Sequence, residues 1–77
     1  MKRTIYNALE RYFEGQLEKH RANVHIHIDA AVGVAEHSDH IETIEKEIAV
    51  MAEYDDKLDI LRRYFGDRVK DKEVLHG

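Results

Sequence analysis

Residues 39–65 read DHIETIEKEIAVMAEYDDKLDILRRYF, and this stretch decides the fold. Apolar residues recur at Ile41, Ile44, Ile48, Met51, Leu58 and Phe65. Spacings of three, four and seven gather them on one face of an α-helix, whereas a strand would need strict alternation. The ends of the stretch agree with a helix. Ser38 or Asp39 can serve as N-cap, and Asp39 with Glu42 has capping-box spacing. Asp39, Glu42 and Glu45 place negative charge at the positive end of the helix dipole, and Arg62 and Arg63 place positive charge at the other. Gly66 is a natural residue just past the C-terminus. A helix over about 39–65 is expected, some ~40 Å long at 1.5 Å per residue.

Upstream, a weaker stripe of Ile5, Leu9, Phe13, Leu17, Val24 and Ile28 predicts a helix over about 4–29, with Thr4 as its N-cap. Gly15 interrupts it at a cost of about 1 kcal/mol relative to alanine. The run Val24-His25-Ile26-His27-Ile28-Asp29 alternates like a strand and is rich in β-branched residues. No second alternating run is available to pair with it, so helix is the preferred reading, with an intermolecular strand pair as the alternative. A turn over about 30–38 follows, with Gly33, His37, Ser38 and Asp39 as its key residues and Gly33 in a positive-φ conformation. Residues 1–66 thus form an all-α antiparallel two-helix hairpin. Residues 67–77 are mostly charged and read as a flexible tail.

The chain has 77 residues, enough for one domain. A single core of this size seldom supplies more than ~3–5 kcal/mol, and such chains usually add a staple. There is no cysteine, so disulfides are excluded. Oligomerisation is the simplest remaining device, and a homo-oligomeric bundle is expected. The net charge of −4, with both signs interspersed over 36% charged residues, argues against a nucleic-acid partner, which would need a basic face. No apolar run approaches the ~18 residues that span a bilayer, so no membrane partner is expected.

A turn centred near residue 35 makes facing residue numbers sum to about 70. Ile44 then meets Ile26 or His27, Ile48 meets Val24, Leu58 meets Phe13, and Phe65 meets Ile5. Tyr6, Tyr12, Tyr54, Ile60, Leu61 and Tyr64 flank this seam and point to a second interface. The interface set, within the hairpin and between copies, is Tyr6, Leu9, Tyr12, Phe13, Ile44, Ile48, Met51, Tyr54, Leu58, Leu61, Tyr64 and Phe65.

Six histidines raise the question of a metal. His37-x-x-His40 spans the start of the second helix and His25-x-His27 lies on the first. Residues 25 and 27 diverge on a helix, and no His-Glu-x-x-His motif is present. No metal site and no cofactor are expected. Asp55 is read as a polar residue in the seam of the second helix, and His20 as its counterpart in the first, a pair that fixes register. An acid–base role for Asp55 would need a substrate pocket that a two-helix seam does not offer. Arg62, Arg63 and Tyr64 are the candidates for holding an anionic or nucleotide ligand, since tyrosine and arginine can stack on and clamp one. There is no glycine-rich phosphate loop and no spacing that suggests a catalytic triad. No catalytic residue is assigned.

The segment Gly33-Val34-Ala35-Glu36-His37-Ser38-Asp39-His40-Ile41, followed by Ile44-Glu45-x-Glu47-Ile48 and Ala52-Glu53-Tyr54-Asp55-Asp56-Lys57-Leu58, resembles small uncharacterised helical proteins of tailed phages, especially T4-like phages of marine cyanobacteria. The resemblance covers residues 17–65. It implies a phage origin and a helical hairpin, and assigns no catalytic residue. The expected role is that of a non-enzymatic phage accessory or virion-associated protein. It would act through self-association and through binding a phage or host protein, in the cytoplasm of the infected bacterium or in the virion. The alternative is an oligomeric protein that sequesters a small anionic or nucleotide ligand at a helix interface.

Overall fold

A computed structural model describes residues 1–32 and 38–74, with side chains described for 1–32 and 39–66. Two helices account for nearly all of it: α1, Arg3–Ala31, and α2, Ser38–Val74. They pack antiparallel as a rod of 60 × 17 × 13 Å. No strand occurs among the described residues, and Val24–Asp29 lies wholly within α1. The alternation in that run is overridden because, without a pairing strand, only the helix satisfies the backbone locally.

The helix ends differ from expectation in detail. α1 begins one residue before Thr4, which is therefore not its N-cap. Lys2 takes that place with an extended backbone (φ −69°, ψ 144°) and no side-chain cap. Its carbonyl accepts the Tyr6 N–H at 3.0 Å. At the other end Val32 is also extended (φ −64°, ψ 126°), and its N–H reaches Asp29 O at 3.3 Å. Gly33 and His37, named as turn residues, lie outside the described residues. Asp39 is exposed in the first turn of α2, where its charge suits the dipole.

α2 does not stop at residue 65. It continues through Gly66 to Val74, so the segment expected to be a tail is helical as far as residue 74. Gly66 is a buried helical residue rather than a terminator. A Cβ built on it would lie 3.3 Å from Tyr6 Oη, so the absent side chain lets the helices approach. No proline follows to break the helix.

The seam is built in layers. Tyr6 meets Leu61, Phe13 meets Tyr54, His20 meets Glu47, and His27 meets His40. Each pair of numbers sums to 67, three less than expected, and the layers repeat every seven residues. Seven-residue repeats keep one face toward the partner helix. The offset of nearly one turn rotates α2 about its axis. Ile41 and Ile48, expected inside, are 64% and 51% exposed, and Ile5 and Ile28 on α1 are also exposed. Tyr6 and Leu61, expected to flank the seam, are instead buried in it together with Leu58. Among the described residues the buried apolar ones lie toward the open end, remote from the turn.

Candidate functional site

Two features stand out on this frame, an apolar groove at the open end and a polar seam toward the turn. The groove forms because α1 and α2 present large apolar side chains along one edge that no described residue covers. Met1, Leu9, Phe13, Ile60, Leu61 and Phe65 line it, with the Lys57 stem at its rim, around about 330 Å³ of open space. Its floor is continuous with the core, since Met1, Leu9 and Phe13 pack directly against Tyr6 and Leu61. Tyr12 stands edge-on to Tyr54 at 6.1 Å between centroids, and Phe13 lies 6.1 Å from the same ring. The hydrogen bond with Tyr12 is the main cause that raises the Tyr54 phenol above its ordinary pKa. Tyr6 is raised too, chiefly by burial.

Of the expected interface residues, Tyr6, Leu58 and Leu61 are buried, and Leu9, Phe13, Ile44, Met51 and Tyr54 are half-buried. Phe65 is 37% exposed at the groove edge. Tyr12, Ile48 and Tyr64 are exposed.

Charge lines the opposite edge. Arg62 crosses the seam, its Nε donating to Glu10 at 2.9 Å and one terminal nitrogen to Glu14 at 2.8 Å. The Glu10 bond is the leading cause that raises its pKa further. Arg63 pairs with Asp59 one turn away and lies 5.8 Å over the exposed Tyr64 ring. The three ligand candidates are therefore neighbours, but both cations already have carboxylate partners. The hollow beside Arg62 is lined by Ala52, Asp55, Asp56, Leu58 and Asp59, an acidic surface. Asp55 is exposed there and is not in the seam. The rotation of α2 moves it out and brings Glu47 in.

Glu47 is the partner that His20 finds. His20 Nδ1–H donates to one Glu47 oxygen, and Asn23 donates to the other at 3.1 Å. The His20 and Glu47 side chains are only 17% and 19% exposed. The His20 bond leads in holding the Glu47 carboxyl below its ordinary pKa; partial burial opposes it and Asn23 adds to it. One layer nearer the turn, the His27 and His40 rings face each other at 5.8 Å, tilted by 54°. Neither Glu47 nor the cross-helix histidine pair was legible as a site: Glu47 sits among Glu45 and Lys46 as one more surface charge, and the histidines pair by register rather than by neighbourhood.

Among the described residues no group of three or more histidine, cysteine, aspartate or glutamate side chains is arranged to hold a metal ion. Among the same residues no helix is long and apolar enough to cross a membrane. No protein-family model, curated protein or solved structure matches the chain.

Proposed function

We propose that the protein is a non-enzymatic binding module whose working form is an assembly of two or more copies, joined through the groove at the open end of the hairpin. The observation that carries this is the position of the groove. It exposes Ile60, Phe65 and neighbouring apolar groups beside Leu61, which is buried against Tyr6 in the apolar cluster of the described residues. Burying an exposed aromatic or aliphatic side chain is worth ~1.5–3 kcal/mol. A second hairpin laid on this edge would convert a thin seam into a bundle core. The resemblance of residues 17–65 to small phage proteins supports a role as an accessory or virion-associated protein, in the cytoplasm of an infected bacterium or in the particle. The engagement of Arg62 and Arg63 by carboxylates favours protein–protein contact over an anionic ligand at that position.

Light scattering on the tag-free chain at micromolar concentration tests the proposal. The expected mass is a multiple of 9.0 kDa, with a melting temperature that rises with protein concentration. Ile60→Glu with Phe65→Glu should lower the mass or unfold the chain, because charge would be forced into the apolar contact. A 9.0 kDa particle that melts cooperatively at a concentration-independent temperature would overturn it.

A further inference from the structure

The layers of the seam change character along the rod, from Tyr6–Leu61 and Phe13–Tyr54 through His20–Glu47 to His27–His40. The third layer is satisfied by its own hydrogen bonds. The fourth is not: both imidazoles are half-buried, and neither ring is hydrogen-bonded among the described residues. We propose that His27 and His40 form a cross-helix clamp for a divalent transition-metal ion of the zinc, nickel or copper type, for which imidazole is a suitable ligand.

Three observations converge on it. The first is distance. Imidazole nitrogens bind zinc at about 2.0–2.1 Å, so two rings on one tetrahedral ion lie about 5–6 Å apart, centre to centre. The observed separation is 5.8 Å. The second is electrostatic. Asp39, the sequence neighbour of His40, puts a carboxylate in the first turn of α2, where it offsets the positive end of that helix. The third is mechanical need. Ile26, Ile28, Val32 and Ile41 are exposed, and no described apolar residue in this half is buried. With no cysteine in the chain and the self-association groove at the opposite end, a bound ion is a device that would staple this end. The sequence pairs His25 with His27 and His37 with His40; the register pairs His27 with His40. Two histidines leave coordination positions for water or for the same pair on a second copy. The clamp does not depend on self-association.

The test uses the full, tag-free chain, first stripped of metal with a chelator and dialysed. Zinc(II) at about a hundredfold over its Kd should raise the melting temperature by roughly 10 °C or more. Cobalt(II) should develop a visible ligand-field band. In the wild-type protein, zinc should move the imidazole nitrogen resonances of His27 and His40 and leave those of His25 in place. His27→Gln and His40→Gln should each lose the thermal shift and the cobalt band, whereas His25→Ala should keep both. One ion per chain or one per two chains both support the clamp. No thermal shift in the wild type, unmoved His27 and His40 resonances, or a shift that survives both glutamine variants would overturn it.

Discussion

Two glycines sit inside helices and meet different surroundings. A Cβ added at Gly15 would touch nothing within 4 Å, so the position carries the entropic cost of glycine with no packing return. Gly15→Ala should stabilise the protein by about 1 kcal/mol, raising the melting temperature by roughly 4–8 °C. At Gly66 the same Cβ would come within 3.3 Å of Tyr6 Oη. Gly66→Ala should gain less than Gly15→Ala, and Gly66→Val should lose stability, because the tyrosine must move away from Leu61 to make room. Thermal melts followed by circular dichroism compare the three variants directly. Equal gains at both positions would mean that the Gly66 contact is soft. Sequence alone offered Gly66 as a terminator. Its contact with a residue from the far end of the chain depends on register, which no local pattern encodes.

At the scale of the helices, the all-α hairpin could be read from the seven-residue spacing of Ile44, Met51, Leu58 and Phe65 and from the absence of proline. The face each helix turns inward was only half legible. His40 and Glu47 look like surface residues, yet they occupy the seam because His27, His20 and Asn23 stand opposite them. Ile41 and Ile48 look like core, yet they are exposed because the polar layers set the rotation of α2. Hydrophobic periodicity weighs apolar residues only, so a seam that is apolar at one end and hydrogen-bonded at the other misleads it. The polar layer has a signature in acid. Because the folded Glu47 carboxyl titrates below its ordinary value of 4.5, its contribution is complete above that value. It is lost as the pH falls through the depressed folded value. Glu47→Gln should therefore flatten the acid side of the stability profile, measured as melting temperature between about pH 3 and pH 6. Superimposable acid limbs for the variant and the wild type would remove Glu47 as the source.

Across the whole molecule the packing is uneven, with buried apolar groups and an open groove at one end and imidazoles at the other. Self-association would answer the first end and a bound ion the second. The antiparallel arrangement also orders how the chain comes together. Glu10 and Arg62, beside the apolar end, are 52 residues apart in sequence, whereas His20 and Glu47 are 27 apart. Closing a loop costs about 0.6 kcal/mol more for each doubling of its length. The contacts that reward closure most are thus those whose closure is most costly, and the ones nearest the turn return least. A chain built this way should zip from its weakly rewarded end toward its strongly rewarded one. Its folding barrier should then be crossed late, when Phe13, Tyr6 and Leu61 finally meet, so that truncating Leu61 should slow folding more than truncating His40 does in stopped-flow refolding.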